Sequence, residues 1–187
     1  MCERAQSPGE EIANSLSHGA ALVAAAVAAP FPIIAAARGG TAADIVGASA
    51  FAATMVLLYA ASMLYHAVPH PRAKRVLRKL DHGAIYRLIA GTYTPFTLGL
   101  MRGHWGWTLF IAVWTLALLG IAVKTTNLGF RFHKTSVLLY VVMGWLIVLA
   151  GRPAMQVMSA HQLTWLVAGG LCYTGGVVFY LWKGRRY

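Results

Sequence analysis

Long apolar runs recur along the chain, separated by short polar segments rich in lysine and arginine, and this pattern restricts the fold more than any other feature. The runs are roughly Ser17–Ala37, Ile45–Val68, Gly83–Leu100, Trp105–Val123, Thr135–Ala150 and Leu163–Trp182. Each is near the ~20 residues a helix needs to cross the hydrocarbon core, the fifth being the shortest. Composition agrees: 58% of the 187 residues are hydrophobic and 11% are charged. Water-soluble domains carry about a quarter charged residues, and a chain of this length has no interior large enough to hide such an apolar excess. Inside lipid an unpaired backbone group has no partner, so a spanning segment is a helix or belongs to a closed barrel. These runs are too long and continuous for barrel strands. The expected fold is an all-α, polytopic membrane helix bundle, a single integral membrane domain over 1–187 with residues 1–14 as a polar tail.

Breakers lie within some runs: Pro30 and Pro32 in the first, Pro95 and Gly99 in the third. Membrane helices accept such kinks where neighbours re-satisfy the freed carbonyls. Small residues crowd the first run (Ala24, Ala25, Ala26, Ala28, Ala29), as close helix packing requires. Cys2 is in the polar tail and Cys172 is in the last run, so no disulfide framework is implied. Met1–Asn14 holds glutamates and lacks the basic start of a cleaved signal, so the first run is expected to remain in the mature protein.

The net charge of +11 raises the question of nucleic acid. The cations form no basic domain and no stripe on a polar helix, and loop orientation accounts for them instead. Arg72, Lys74, Arg75, Arg78 and Lys79 follow the second run; Lys124, Arg131 and Lys134 follow the fourth; Lys183, Arg185 and Arg186 end the chain. The alternate loops hold only Arg38, Arg102 and Arg152. By the positive-inside rule, both termini of a six-span chain are cytoplasmic, and Trp105 and Trp107 join the outer aromatic belt. The expected partners are membrane lipids, with nucleic acid excluded; nothing here sets an oligomeric state.

Few polar groups are left to carry chemistry. Ser62 and His66 are four residues apart on one face of the second span, near its cytoplasmic end. Asp81 and His82 begin the third span across a short loop. His18, preceded by Glu11 and Asn14, begins the first span on the same side. Ionisable groups in membrane segments are costly and face a bundle interior or a cavity. A histidine beside a carboxylate and a hydroxyl suits zinc, whose bound water the carboxylate can orient or deprotonate. The bland readings stand beside this one: an interfacial His66, an Asp81 that caps the third helix, a Ser62 bonded within its own helix. His70 follows Pro69, which should end the helix, so it is not paired with His66. His104, His133 and His161 read as interfacial. Arg87, inside the third span, either snorkels to the headgroups or pairs with an acid such as Asp81.

Several motifs occur in a family's order. Glu11-Ile-Ala-Asn14-Ser-Leu-Ser-His18 fits E-x-x-N-x-x-x-H, and Ser62-Met-Leu-Tyr-His66 fits S-x-x-x-H. Asp81-His-Gly-Ala-Ile85 fits D-H-x-x-I and is followed by Gly91-Thr-Tyr-Thr-Pro95; His133-Lys-Thr135 and Gly169-Gly-Leu-Cys-Tyr-Thr-Gly175 also fit. With these the chain resembles, over essentially its whole length, the bacterial hemolysin III family, related to the progestin and adipoQ receptors. The resemblance implies seven membrane helices with the N-terminus inside. It makes His66 a zinc ligand, with Asp81 holding the zinc-bound water and Ser62 supporting the site. It further implies a zinc-dependent membrane hydrolase acting on a lipid amide or ester; the alternative, which the family name favours, is a cytolytic or channel-like protein without catalysis. The other two ligands in the related receptors form an H-x-x-x-H on the seventh helix. No such motif follows the sixth span here, and the expectation is that this chain, lacking that helix, binds zinc poorly and is hydrolytically silent.

Overall fold

The computed structural model describes residues 6–126 and 133–181. Among these the regular elements are all helical. Helix α1 (Pro8–Ala28) opens on a capping box: Ser7 N donates to Glu10 Oε2 at 2.6 Å, and Glu10 N donates to Ser7 Oγ at 3.3 Å. Pro8 occupies the first turn, where its missing N–H costs nothing. At Ala29 the backbone stays helical (φ −53, ψ −41), so α2 (Pro30–Gly39) continues α1 with a bend. The polar tail expected over 1–14 is therefore shorter than its composition implied: from Pro8 onward it is helix.

Helix α3 (Ala42–Ala67) begins at a second capping box, Thr41 with Asp44. It stops at Val68, whose extended backbone precedes Pro69, as the restriction on pre-proline residues requires. Helix α4 (Pro71–Pro95) starts at once, with Pro71 in the first turn and His70 Nδ1 accepting from Ala73 N at 3.5 Å. Here the structure corrects the sequence reading. Arg72–Lys79 is not a loop but the first turns of α4, and Asp81 lies inside the helix, not at its cap. Arginine, lysine and leucine are good helix formers, and loop charge marks the side of the membrane without marking the end of the helix.

After Pro95 a π-helical turn, Phe96–Leu100, closes α4. Gly103 has φ 101, a conformation that favours glycine, and turns the chain into α5 (His104–Thr125). Helix α6 (His133–Gly144) leads through a 3-10 turn, Leu146–Ala150, into α7 (Gly151–Val157), and α8 (Ala160–Leu181) follows. Among the described residues, five stretches are long and apolar enough to cross a membrane: Pro8–Gly39, Ala42–Ala67, His104–Thr125, Thr135–Val157 and Ala160–Phe179. The fifth expected span, short at Thr135–Ala150, is completed by α7. The third, Gly83–Leu100, is absent from these five because it is the apolar end of a helix whose start is basic.

That helix is nevertheless central. It packs on α3 and α5, and its Tyr86, Ile89, Ala90 and Tyr93 form the main core with Val113 and Ala117 of α5 and Tyr140 and Met143 of α6. A second cluster, Met101, Leu109, Ala150, Ala154 and Met158, closes the opposite end. Helices approach closely where a side chain is missing. A Cβ on Gly47 would lie 2.7 Å from Cα of Pro95, and one on Gly91 would overlap Thr54. Arg131, Lys183, Arg185 and Arg186, and the side chains of His133 and Lys134, lie outside the described residues, so those parts of the charge pattern and of the family motif gain no structural account here.

Candidate functional site

Three helix ends meet on the side of the bundle where α1 begins, α3 ends and α4 begins. Ser62 is buried on α3 and donates its hydroxyl to the Asp81 carboxylate on α4. His66, one turn further along α3, and His18 of α1 lie within electrostatic reach of Asp81. The rings of His18 and His66 are stacked, 5.8 Å apart with planes 5° from parallel, and Tyr59 lies 6.3 Å from His18. Ser62, His66 and Asp81 are thus brought together, with His18 beside them.

Arg87 is not among the groups acting on Asp81, so the pairing considered for it is not formed. The backbone carbonyl of His82 accepts from Tyr140 Oη at 3.0 Å. His70 caps α4 and takes no part, in keeping with its place after Pro69.

The sequence reading missed how His66 is held. Its Nδ1 lies 2.7 Å from Glu11 Oε2, and the other carboxylate oxygen, Oε1, accepts from Lys74 Nζ at 2.7 Å. The His66 side chain is only 9% exposed, whereas Glu11 at 21% keeps access to water. The Lys74 ammonium also stands 5.1 Å above the Tyr65 ring centroid. Glu11 therefore ties α1 to α3 and α4 at a single carboxylate. Glu11 and His66 are 55 positions apart, and no local spacing could have joined them. The only available signal was that both fall in motifs the family resemblance brought up. Lys74, read as one more orienting charge, is a partner of this site.

A carboxylate bonded to one imidazole nitrogen fixes ring orientation and leaves the other nitrogen, Nε2, to act as ligand or base. His66 could in this way give one bond to a metal. Among the described residues, however, no group of three His, Cys, Asp or Glu side chains converges to hold a metal ion. A catalytic zinc takes three protein ligands and a water. The donors brought together here do not by themselves fit such a site.

An all-helical membrane bundle with a partly buried Ser–His–Asp cluster at one end defines a polytopic membrane protein with a polar centre. Comparison with known proteins places it further. Residues 7–186 match the family model described as Haemolysin-III related, and the chain belongs to that family. It is 43% identical to "Hemolysin-3" of Bacillus cereus over 183 residues, 98% of this chain and 83% of that protein. It is 45% identical to "Hemolysin-3 homolog" of Bacillus subtilis (strain 168) over 174 residues, 93% of this chain and 81% of that protein. No solved structure matches.

Proposed function

We propose that this membrane protein is a hydrolase of a lipid amide or ester, with Ser62, His66 and Asp81 at its reaction centre. The observation that carries this reading is the Asp81 carboxylate, bonded by Ser62 and faced by His66 and His18 where α1, α3 and α4 meet. In this reading Asp81 holds the attacking water, takes its proton as the water oxygen bonds to the carbonyl carbon, and returns that proton to the amine or alcohol as its bond to the carbonyl breaks. The Ser62 hydroxyl keeps the carboxylate from rotating away. Glu11 fixes the His66 ring so that Nε2 faces the reacting carbonyl. Zinc dependence, which the resemblance implies, calls for ligands beyond those the described residues bring together. Zinc affinity is therefore expected to be weak, with far less than one zinc per purified chain.

The orientation proposed with this site puts the N-terminus and the first turns of α4 in the cytoplasm. The second reading is membrane lysis without catalysis. It is favoured by the hemolysin names of the relatives and by the basic start of α4, where Val76 and Leu80 are exposed. Lipid hydrolysis and liposome leakage measured side by side on one purified sample separate the two. The hydrolase reading expects product release that falls about 100-fold or more in Asp81→Asn, the scale on which a positioned acid or base contributes. Leakage with no hydrolysis, unchanged in Asp81→Asn, would establish the lytic reading instead.

A further inference from the structure

Beside His66, on the side of Glu11 away from the core, the start of α1 and the α3–α4 corner enclose a cleft of about 590 Å³. Glu11, Ile12, Ser15 and Leu16 line it from α1, and His66 and Lys74 line it from the other two helices. Its walls are largely apolar. Ile12 and Leu16 are 61% and 69% exposed, one helical turn apart, so they form an apolar ramp leading out of the cleft along α1. The polar groups gather at one end, where Glu11 joins His66 and Lys74. Such a cleft is apolar along its length and charged at one end, and it lies where a membrane helix meets water.

Its charge is settled by what Glu11 has already bound. The carboxylate is occupied by two partners, so it is poorly placed to attract a cation. Lys74 has three N–H donors and spends one on Glu11, while the face of Tyr65 holds its ammonium in place. Exposed Arg72 and Arg75 stand on the same first turn of α4. Residues 71–79 carry Arg72, Lys74, Arg75, Arg78 and Lys79 and no acidic side chain. Basic segments of this kind next to a membrane helix attract anionic lipid.

We propose that the cleft is a binding site for an anionic phospholipid. The headgroup phosphate takes the remaining donors of Lys74, and an acyl chain lies along Ile12 and Leu16. The site needs no hydrolysis and holds whether or not the cluster around Asp81 is a reaction centre.

Native mass spectrometry of the detergent-purified chain, offered equal amounts of phosphatidylglycerol and phosphatidylcholine with matched acyl chains, tests it. Phosphatidylglycerol should be retained about fivefold over phosphatidylcholine, the preference that roughly 1 kcal/mol per basic side chain near a membrane surface gives. Lys74→Gln should abolish that preference and Lys74→Arg should keep it. Leu16→Asn, which touches no ion pair, should lower retention of both lipids. Equal retention of the two lipids by the unmodified chain, or a preference that survives Lys74→Gln, overturns the proposal. Unaltered retention in Leu16→Asn removes the acyl wall and overturns it as well. Displacement of phosphatidylglycerol by inorganic phosphate alone would reassign the site to free phosphate.

Discussion

Ser62 and Asp81 show how one hydrogen bond decides what a buried carboxylate can do. A hydroxyl inside a membrane helix can bond back to its own helix, as Thr54 does to Ala50 O at 2.9 Å and Thr94 does to Ala90 O at 2.9 Å. Ser62 reaches across to α4 instead, which joins two helices and gives Asp81 a partner. Groups in direct contact act as a unit, so their substitutions do not add. In a double-mutant cycle on stability in detergent, Ser62→Ala and Asp81→Ala should show a coupling of about 0.5–3 kcal/mol. Additive effects would mean that the two side chains do not depend on each other. Tyr93 makes a comparable case in the core. Its hydroxyl donates to Gly144 O at 2.9 Å and accepts from Ile147 N at 3.0 Å. Tyr93→Phe leaves both backbone groups without their partner in an apolar interior, and should cost about 1–3 kcal/mol in a denaturant titration. A loss below a few tenths would mean that water or a rearranged backbone replaces the hydroxyl.

Elements in this bundle bend where a neighbour can repair them. Helix α6 yields to a 3-10 turn at Trp145, and the groups released there are the ones Tyr93 bonds. The Trp145 indole is held in turn by Thr174 of α8, at 3.0 Å. Helix α4 widens into its π-helical turn after Pro95. Gly47 of α3 faces Pro95 so closely that a methyl group would meet backbone, which cannot move aside as a side-chain tip can. Gly47→Ala should therefore lower stability by about 1–3 kcal/mol, the range for overpacking a tight contact, despite the better helix propensity of alanine. A Gly47→Ala protein with an unchanged thermal transition would show that α3 and α4 are free to separate here. Next to the turn, Arg102 donates to Asp44 Oδ2 at 2.7 Å and to Thr41 Oγ1 at 2.8 Å, so the start of α3 is fastened to the end of α4.

At the scale of the molecule, the two ends of the bundle differ in charge. One end carries the basic turns of α4; at the other, Arg102 is paired with Asp44, and exposed Trp105 and Trp107 open α5. The proposed orientation puts the basic end in the cytoplasm. In a background with Cys2→Ser and Cys172→Ser, an impermeant thiol reagent added to intact cells should label His104→Cys and spare Val76→Cys. His104 is used because its neighbour Gly103, at φ 101, would strain any replacement. The reverse pattern would invert the whole bundle and place the Asp81 cluster outside the cell.

The chain's own pattern determined that it is a helical membrane bundle, because apolar runs of spanning length leave the backbone no other way to satisfy its hydrogen bonds in lipid. It also pointed to polar residues that the fold brings together: Ser62 and His66 share a face by the helical repeat alone, and Asp81 follows across a short connection. Two things were decided only by tertiary structure. The first is where α4 begins, since charge and capping speak differently there, and the cap at His70 and Pro71 prevailed over the look of a basic loop. The second is the bond between Glu11 and His66, together with the cleft beside it. Neither has a periodicity to betray it, because the partners belong to separate helices and meet only when α1 packs against the end of α3.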